Sequence, residues 1–280
     1  MCMGFGCNAA GVVGCRIIDS PRERLVAILT NAFVPCNGRF PAMISLLAIF
    51  FTDMNQAGLS SLLSAILLTG LLVLGIGATL LVSRLLSDTL LKGTPSSFAL
   101  EMPPYRRPQI GRVILHSIFD RTLFVLGRAV LVAIPAGFVI WCLANLSLDG
   151  VSLLQHCANA LDPLGRMLGL DGVILLAFIL GFPANEIVLP LTLMGYLSMG
   201  TLVETNSLAD LASVLLANGW TQTTALCFLL FSLFHWPCST TCLTIHKETA
   251  SWRWTAVAFV LPTVVGILLC SAVQFASHLL

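Results

Sequence analysis

Thiol, imidazole, amide and carboxylate side chains stand beside Pro and Gly residues at four points of this otherwise apolar chain. The motifs read Gly-Phe-Gly-Cys-Asn at 4–8, Pro-Cys-Asn-Gly-Arg at 35–39, Gly-Phe-Pro-Ala-Asn-Glu at 181–186 and His-Trp-Pro-Cys at 235–238. Pro and Gly break a helix and free its backbone carbonyls, while thiol, imidazole and oxygen ligands together suit a borderline divalent transition metal. The motifs therefore supply eight candidate residues for a metal path: Cys7, Asn8, Cys36, Asn37, Asn185, Glu186, His235 and Cys238.

Each candidate also has a purely structural explanation, and the residues alone leave both open. A Pro-Cys pair can be an ordinary helix kink that packs a small thiol, and this applies to Cys36 and Cys238. Glu186 is an ionisable residue in an uncharged stretch, where function is the default hypothesis. Its alternative is an interfacial carboxylate or one that pairs with an arginine. Arg39 either pairs with Glu186 or marks the end of a short apolar segment.

The composition places much of the chain in lipid. Only 10% of the 280 residues are charged and 57% are hydrophobic, with a mean hydropathy of +0.95. A soluble domain carries about 25% charged residues, so these apolar stretches must have the bilayer as their solvent. The net charge of +1 gives no field that would attract nucleic acid. The ten cysteines lie mostly in apolar or Gly-rich stretches, so we expect no disulfide framework.

Five regions are candidates for the membrane, and the last of them holds two apolar stretches. They cover residues 25–51, 59–86, 123–148, 173–199, and, in the last region, 223–245 and 254–278. About 20 apolar residues suffice to cross a bilayer as a helix, and breaks at depth must line protein or water. We therefore predict an all-α, polytopic integral membrane protein with broken or re-entrant helices.

The distribution of charges predicts how these stretches cross. Lys and Arg concentrate in 84–121 and 246–253, which should face the cytoplasm, whereas 200–222 has acidic residues but no Lys or Arg and should face outside. With these assignments the stretch 173–199 must start and finish outside. We therefore predict a re-entrant hairpin of two half-helices of about 9 and 11 residues, each too short to span alone. An interrupted full crossing is the main alternative.

Matching motifs indicate an internal two-fold repeat. The pattern G-F-x-x-N occurs at 4–8 and at 181–185, and a Pro-Cys pair follows each copy. Related halves with broken helices are a common plan of secondary transporters. We expect a partial first repeat over 1–83, a polar cytoplasmic loop over 84–121, and a second repeat with the C-terminal helices over 122–280. Because no apolar run precedes the first motif, we expect a fragment or a divided product.

Taken in order, the motifs resemble the membrane region of the ferrous iron transport protein B family (FeoB). The matching segments are 4–8, 19–25 and 33–39 for the first Gate region, 181–187 for the second, and 235–241 with 247–249 for the C-terminal signature. The resemblance covers nearly the whole chain.

This resemblance implies a multi-pass ferrous-iron permease of the bacterial inner membrane, with a path lined by Cys7, Cys36, Glu186 and Cys238. Fe²⁺ would be the transported ion, and no cofactor would be tightly bound. Family members begin with a cytosolic GTP-binding domain and further membrane helices that this sequence lacks, so we expect no enzymatic activity from it. Expected partners are the lipid bilayer, Fe²⁺, a separate chain with the missing parts, small cytosolic Feo proteins and another copy of the chain. Nucleic acid is not among them.

Three other interpretations remain. Gate regions also resemble parts of nucleoside permeases, so a nucleoside or other small-solute carrier is the main one, although its site would need more polar groups and fewer thiols. A membrane hydrolase would need a paired nucleophile and base, and we find no convincing pair. The third is a non-transporting fragment that assembles with its missing half. Because a permeating ion must also leave its site, we expect no tight, closed four-ligand metal site.

Overall fold

The computed structural model describes residues 2–52, 57–90, 111, 123–148, 150–202 and 207–279. Within these ranges the chain is almost entirely helical, and the only strands form one short antiparallel pair, β1 (Ser147–Leu148) and β2 (Val151–Ser152). The all-α prediction is therefore confirmed. The helices are α1 (Cys2–Gly6), α2 (Asn8–Gly14), α3 (Pro21–Thr30), α4 (Phe40–Phe50), α5 (Ala57–Asp88), α6 (Phe124–Asn145), α7 (Leu153–Met167), α8 (Gly172–Leu180), α9 (Val188–Leu197), α10 (Leu208–Ala217), α11 (Gln222–Phe234), α12 (Ser239–Thr249) and α13 (Trp252–Leu279).

Four segments of the described chain are long and apolar enough to cross a membrane, which confirms a multi-pass membrane protein. They are Pro21–Phe50, Ser61–Asp88, Gln222–Thr249 and Trp252–Ser277. The first joins α3 to α4 and the third joins α11 to α12, so both are broken spans whose breaks contain the predicted Pro-Cys pairs. Helix α6, predicted as a further span, has a shorter described apolar part, Ala129–Asn145.

The four spans alternate in direction. At one end, which we call the basic end, α3, the end of α5, the end of α12 and the start of α13 share one hydrophobic cluster. Arg22 on α3 donates to the Ser87 carbonyl there (3.2 Å). At the opposite end, Gln222 at the start of α11 donates to the carbonyl of Phe50 at the end of α4 (3.2 Å). This alternation agrees with the directions predicted from the charges.

Helices α8 and α9 form the predicted hairpin of two half-helices. A Cβ added at Gly195, near the end of α9, would stand 2.5 Å from Val173 at the start of α8, so the two helices run antiparallel. Asp171 caps α8 by accepting from the Ile174 amide (2.7 Å) and also accepts from the Tyr196 hydroxyl. Both ends of the hairpin therefore lie together at the end opposite the basic end. Which side of a membrane this is stays a prediction.

Helix α7 brings the chain to this hairpin and turns sharply before entering it. The axes of α7 and α8 differ by 107°. Gly172 lies against the Ala158 carbonyl so closely that no Cβ fits between them. Its backbone N–H also donates to the Asp162 side chain (3.2 Å). The bend is thus fixed by a glycine contact and an aspartate cap, which holds the base of the hairpin in place.

The order of elements in the first part of the chain recurs in the last. A short helix, a loop leading to Asn, a second helix, a broken span and an unbroken span occur as α1–α5 and again as α8, α9 and α11–α13, with α10 inserted. In both copies the unbroken span places a glycine on a carbonyl of the broken span. A Cβ at Gly75 would stand 3.0 Å from the Phe33 oxygen, and one at Gly266 would stand 3.1 Å from the Phe234 oxygen. This order supports an internal repeat, while the three region boundaries stay predictions.

Several sequence predictions fall partly outside the described residues. Helix α5 continues to Asp88, beyond residue 84 where the polar loop was predicted to begin. Most of that loop, 91–110 and 112–121, lies outside the described residues. The predicted external segment 200–222 contains α10 and, near its end, Trp220, which is buried against Phe50 with ring centroids 5.9 Å apart.

Candidate functional site

The first broken span opens at a Pro-Cys pair. Helix α3 ends at Thr30, a 3₁₀ turn follows, and the backbone becomes extended at Val34 and Cys36 before a second 3₁₀ turn, Asn37–Arg39, leads into α4. Pro35 cannot donate a helical hydrogen bond, which favours a break at this point. The Cys36 side chain is half-buried and that of Asn37 is exposed. The break therefore turns a thiol toward the other elements described below.

The third span opens at His235. Helix α11 ends at Phe234, and the backbone is extended at His235 and Cys238 before α12 begins. His235 is 1% exposed, and its Nδ1 lies 2.9 Å from the Ser232 carbonyl and 3.1 Å from the Phe231 carbonyl. Because both neighbours are carbonyl oxygens, Nδ1 carries a proton. Nε2 lies on the opposite side of the ring and is directed away from α11.

Asn185, at the tip of the hairpin, connects the two breaks. Its Oδ1 lies 3.3 Å from Nε2 of His235, and its Nδ2 lies 3.9 Å from Sγ of Cys36. The tip is tied to the third span a second time, because the Ser239 amide donates to the Phe182 carbonyl (2.9 Å). Asn185 itself is 9% exposed. Three elements far apart in sequence thus meet at one buried amide.

Glu186 lies beside the first break and is exposed. A Cβ added at Gly38 would stand 3.5 Å from Cβ and 3.7 Å from Oε2 of Glu186. Glycine at position 38 therefore lets the carboxylate pack directly on the backbone of the break. The predicted pair between Glu186 and Arg39 is wrong: within the described ranges no ion pair joins them. Arg39 lies where the 3₁₀ turn ends and α4 begins, and it is 1% exposed.

The N-terminal motif lies next to the third span and the first break. Cys7 is an exposed, extended residue between α1 and α2, and α2 packs on α12. Asn8 is buried, and its amide nitrogen is placed to donate to the carbonyls of Gly4 (3.0 Å) and Val34 (3.2 Å). The loop of the first motif is thereby held against the first break.

Cys238 and Cys242 share a face of α12 but differ in surroundings. Sγ of Cys238 lies 3.2 Å from Oγ1 of Thr241, and Sγ of Cys242 donates to the Pro237 carbonyl at 3.5 Å. The Cys242 thiol therefore donates a hydrogen bond to a carbonyl of the break, whereas the Cys238 thiol contacts a threonine hydroxyl.

The structure thus brings together seven of the eight predicted residues and leaves one at the edge. Cys36, Asn185 and His235 meet directly, and Cys238 precedes Ser239, which is bonded to the hairpin. Glu186 adjoins the first break, and Cys7 and Asn8 lie on the loop that Asn8 holds against that break. Asn37 is exposed on the first break. Among the described residues, its side chain makes no hydrogen bond to any of the other seven. Among those residues no three His, Cys, Asp or Glu side chains converge closely enough to hold a metal ion together.

Sequence reasoning missed Asn31. This residue is 2% exposed and donates to the Asn8 carbonyl (2.9 Å). Its Oδ1 occupies the space where a Cβ would stand at Gly4 (2.8 Å) and at Gly11 (2.6 Å). The glycines of α1 and α2 therefore form a slot for this one side chain. A signal existed in the sequence, since Asn31 lies four residues before Pro35 in an apolar stretch.

Arg39 is the second residue whose role was missed. Its Nη1 donates to the Leu233 carbonyl (2.9 Å), and its Nη2 lies 3.4 Å from the Trp236 carbonyl. The guanidinium thus donates hydrogen bonds to carbonyls that the end of α11 leaves without helical partners. It joins the two broken spans directly.

Comparison with known protein families gives two matches. A family model described as "Ferrous iron transport protein B C terminus" matches residues 68–120. A model described as "Nucleoside recognition", the Gate domain, matches residues 126–252 and so covers the hairpin and the break of the third span.

Curated relatives match the whole chain. It is 30% identical to a Staphylococcus aureus (strain MSSA476) protein named Fe(2+) transporter FeoB and 26% identical to one of the same name from Methanocaldococcus jannaschii, with 100% of this chain aligned in both. A Porphyromonas gingivalis relative, 24% identical over 92% of this chain and 35% of its own length, is named as a fusion of Fe(2+) transport protein A with FeoB. The chain spans 40% and 41% of the length of the first two relatives. No solved structure matches it.

Proposed function

The chain corresponds to the C-terminal membrane region of the ferrous iron transport protein B family, and on this premise we propose that it forms part of a path by which Fe²⁺ crosses a bacterial cell membrane. The path would run through the meeting of the three breaks. The observation that carries this proposal is the position of Asn185, whose amide lies between Cys36 of one broken span and His235 of the other.

The ligand types at this point favour a transition metal over other small solutes. Thiol and imidazole groups bind borderline and soft cations such as Fe²⁺ better than they bind alkali or alkaline-earth ions. Cys36 and Cys238 come from different broken spans, and Cys7 supplies a further thiol from the N-terminal motif, whose loop is held against the first break. Glu186 supplies a carboxylate next to the first break. A cation could thus exchange one ligand for the next along the group.

The arrangement also suits passage better than storage. A conducted ion must bind well enough to enter and weakly enough to leave. The candidate side chains of the described residues are spread along the breaks and do not close around one point. We propose successive weak contacts with no resident metal and no catalytic role for these residues.

Transport would depend on further parts of the family's architecture. We propose that this region works with a GTP-binding domain and with the membrane helices that family members carry before it. The Porphyromonas gingivalis relative is named as a fusion with Fe(2+) transport protein A, which supports a small cytosolic protein of that kind as a partner. Association with another copy of the chain is also part of this proposal.

The test is radiolabelled Fe²⁺ uptake, under reducing conditions, into liposomes that hold the chain, with a labelled nucleoside as the competing substrate. Cys36→Ser and Glu186→Gln should lower iron uptake strongly, because each removes a ligand from the path. Cys157→Ser is the matched control, since that half-buried cysteine lies on α7, away from the breaks.

The outcomes separate the interpretations. Iron uptake that Cys36→Ser abolishes and Cys157→Ser preserves would support the path. Nucleoside uptake without iron uptake would overturn it in favour of a Gate-type nucleoside carrier. If neither iron nor nucleoside enters, transport would require an assembly that also holds the GTP-binding domain and the preceding membrane helices. The same variants would then be compared in that assembly.

A further inference from the structure

Arg39 has the largest fully buried side chain of the described residues. It is 1% exposed and lies within the first broken span, Pro21–Phe50, where the 3₁₀ turn of the break passes into α4. An arginine is rarely buried to this extent without a partner carboxylate. Inside a membrane span such a charge is a candidate for function by default.

Backbone carbonyls hold the guanidinium in one place. Nη1 donates to Leu233 and Nη2 reaches Trp236, both at the broken end of α11. The carboxyl end of a helix carries partial negative charge, which favours a cation there. Among the described residues no carboxylate pairs with Arg39, and its Nε has no hydrogen-bond partner. The charge is therefore fixed in position but only partly neutralised.

The guanidinium lies beside the soft ligands of the candidate path. The backbone N–H of Arg39 donates to the Cys36 carbonyl (3.0 Å). The Trp236 carbonyl, which accepts from Nη2, lies in the chain between His235 and Cys238 of the other break. In a poorly hydrated interior, the repulsion between a fixed charge and a passing cation is much stronger than in water. Any cation that enters the meeting of the breaks must therefore approach a positive charge that cannot move aside.

We propose that Arg39 is a specificity-determining residue whose fixed positive charge excludes alkali cations from the path. This inference rests on the proposed function. Arginine side chains that line narrow pores exclude cations in the same way. Fe²⁺ differs from an alkali cation because thiol and imidazole groups on both breaks bind it, which offsets the repulsion, whereas Rb⁺ or Na⁺ gains little from sulfur.

A purely structural role makes a different prediction. If Arg39 only joined the two broken spans, its loss would loosen the breaks and open an unselective leak. Lysine keeps the positive charge but cannot reproduce the planar, two-pronged donor geometry of arginine. Arg39→Lys and Arg39→Gln therefore separate the effect of the charge from that of the hydrogen bonds.

The experiment measures ⁸⁶Rb⁺ and ³⁶Cl⁻ entry into liposomes that hold the whole chain, beside Fe²⁺ uptake. Arg39→Gln should raise Rb⁺ entry about tenfold or more, because removing a nearby unit charge in a low-dielectric site lowers the barrier at least that much. Chloride entry should stay unchanged, and liposomes with the Arg39→Lys variant should admit no more Rb⁺ than those with the unaltered chain. Arg166→Gln is the control, since that exposed arginine pairs with Asp162 on α7.

Each result decides the question. Raised Rb⁺ entry in Arg39→Gln alone supports the barrier, whether or not the unaltered chain takes up iron by itself. Three results would overturn it. Rb⁺ entry could be unchanged in Arg39→Gln, Rb⁺ entry could be raised equally in Arg39→Gln and Arg39→Lys, or chloride entry could rise together with Rb⁺ entry. Failure of the proposed function would appear separately, as absence of Fe²⁺ uptake in the unaltered chain and in the larger assembly.

Discussion

A single methyl group on α5 should test whether the first break depends on close backing by the unbroken span. Gly75 is buried, and a Cβ there would stand 3.0 Å from the Phe33 carbonyl oxygen, 3.4 Å from Cδ1 of Leu233 and 3.7 Å from Cδ of Pro35. Gly77, two residues later on the same helix, is exposed and has nothing within 4 Å of its Cβ position. Gly75→Ala and Gly77→Ala therefore form a matched pair.

The expected difference follows from two opposing terms. Alanine is favoured over glycine inside a helix by about 1 kcal/mol, so Gly77→Ala should raise the free energy of unfolding by ~0.5–1 kcal/mol. At Gly75 the same gain is opposed, because the added Cβ pushes on a backbone oxygen and overpacking costs ~1–3 kcal/mol. We expect Gly75→Ala to be ~1–3 kcal/mol less stable than Gly77→Ala.

The assay is unfolding by sodium dodecyl sulfate in mixed micelles, followed by tryptophan fluorescence, with both variants and the unaltered chain measured side by side. Trp220 is buried and Trp236 is half-buried, so the signal reports on the packed interior. Equal stability of the two alanine variants would refute the close contact between α5 and the break. Gly266→Ala offers a second test on α13, where the added Cβ would meet the Phe234 oxygen at 3.1 Å.

Three further predictions concern the hairpin, the N-terminal motif and the basic end. Tyr196→Phe should lower the free energy of unfolding by ~1–3 kcal/mol, because it leaves the buried Trp220 indole N–H without its acceptor; an unchanged unfolding midpoint would contradict this. Cys7, which is exposed, should react with a maleimide much faster than Cys15, since burial raises the pKa of the Cys15 thiol and leaves less thiolate at neutral pH; mass spectrometry of labelled peptides measures both rates. Glu248→Gln should destabilise by less than about 1 kcal/mol, because its arginine partner is 58% exposed and water screens the pair; a loss of several kcal/mol in the same assay would show that the pair is worth more.

Local sequence signals were enough to predict the breaks and the hairpin. Pro35, Pro183 and Pro237 disfavour a continuous helix, and each lies beside further breaking or polar residues; the structure interrupts its helices around each of them. The hairpin followed from length and charge alone, because two short apolar halves with the same polar side at both ends leave few other arrangements. These features depend on residues close together in the chain, which is why they could be predicted.

The contacts that assemble the site could not be predicted in this way. Asn185 meets Cys36, 149 residues away, and Arg39 meets Leu233, 194 residues away. The partner of Arg39 is a backbone carbonyl, which every residue has, so no side-chain pattern marks it. The nearest visible acid, Glu186, was therefore the natural but wrong partner. Asn31 was missed for a related reason. Its side chain fits only because Gly4 and Gly11 have no Cβ, and no side-chain pattern marks that space.

The contact between Arg39 and Leu233 also constrains how the chain can be built during synthesis. An unpartnered arginine near the centre of a membrane helix raises the free energy of insertion by about 2.5–3.5 kcal/mol. This unfavourable free energy applies to the first broken span while the ribosome adds the 194 residues that separate Arg39 from its carbonyl partner. The early segment is therefore metastable in the bilayer until α11 arrives beside it. A nascent chain halted before residue 233 would keep the arginine in the membrane without this carbonyl partner.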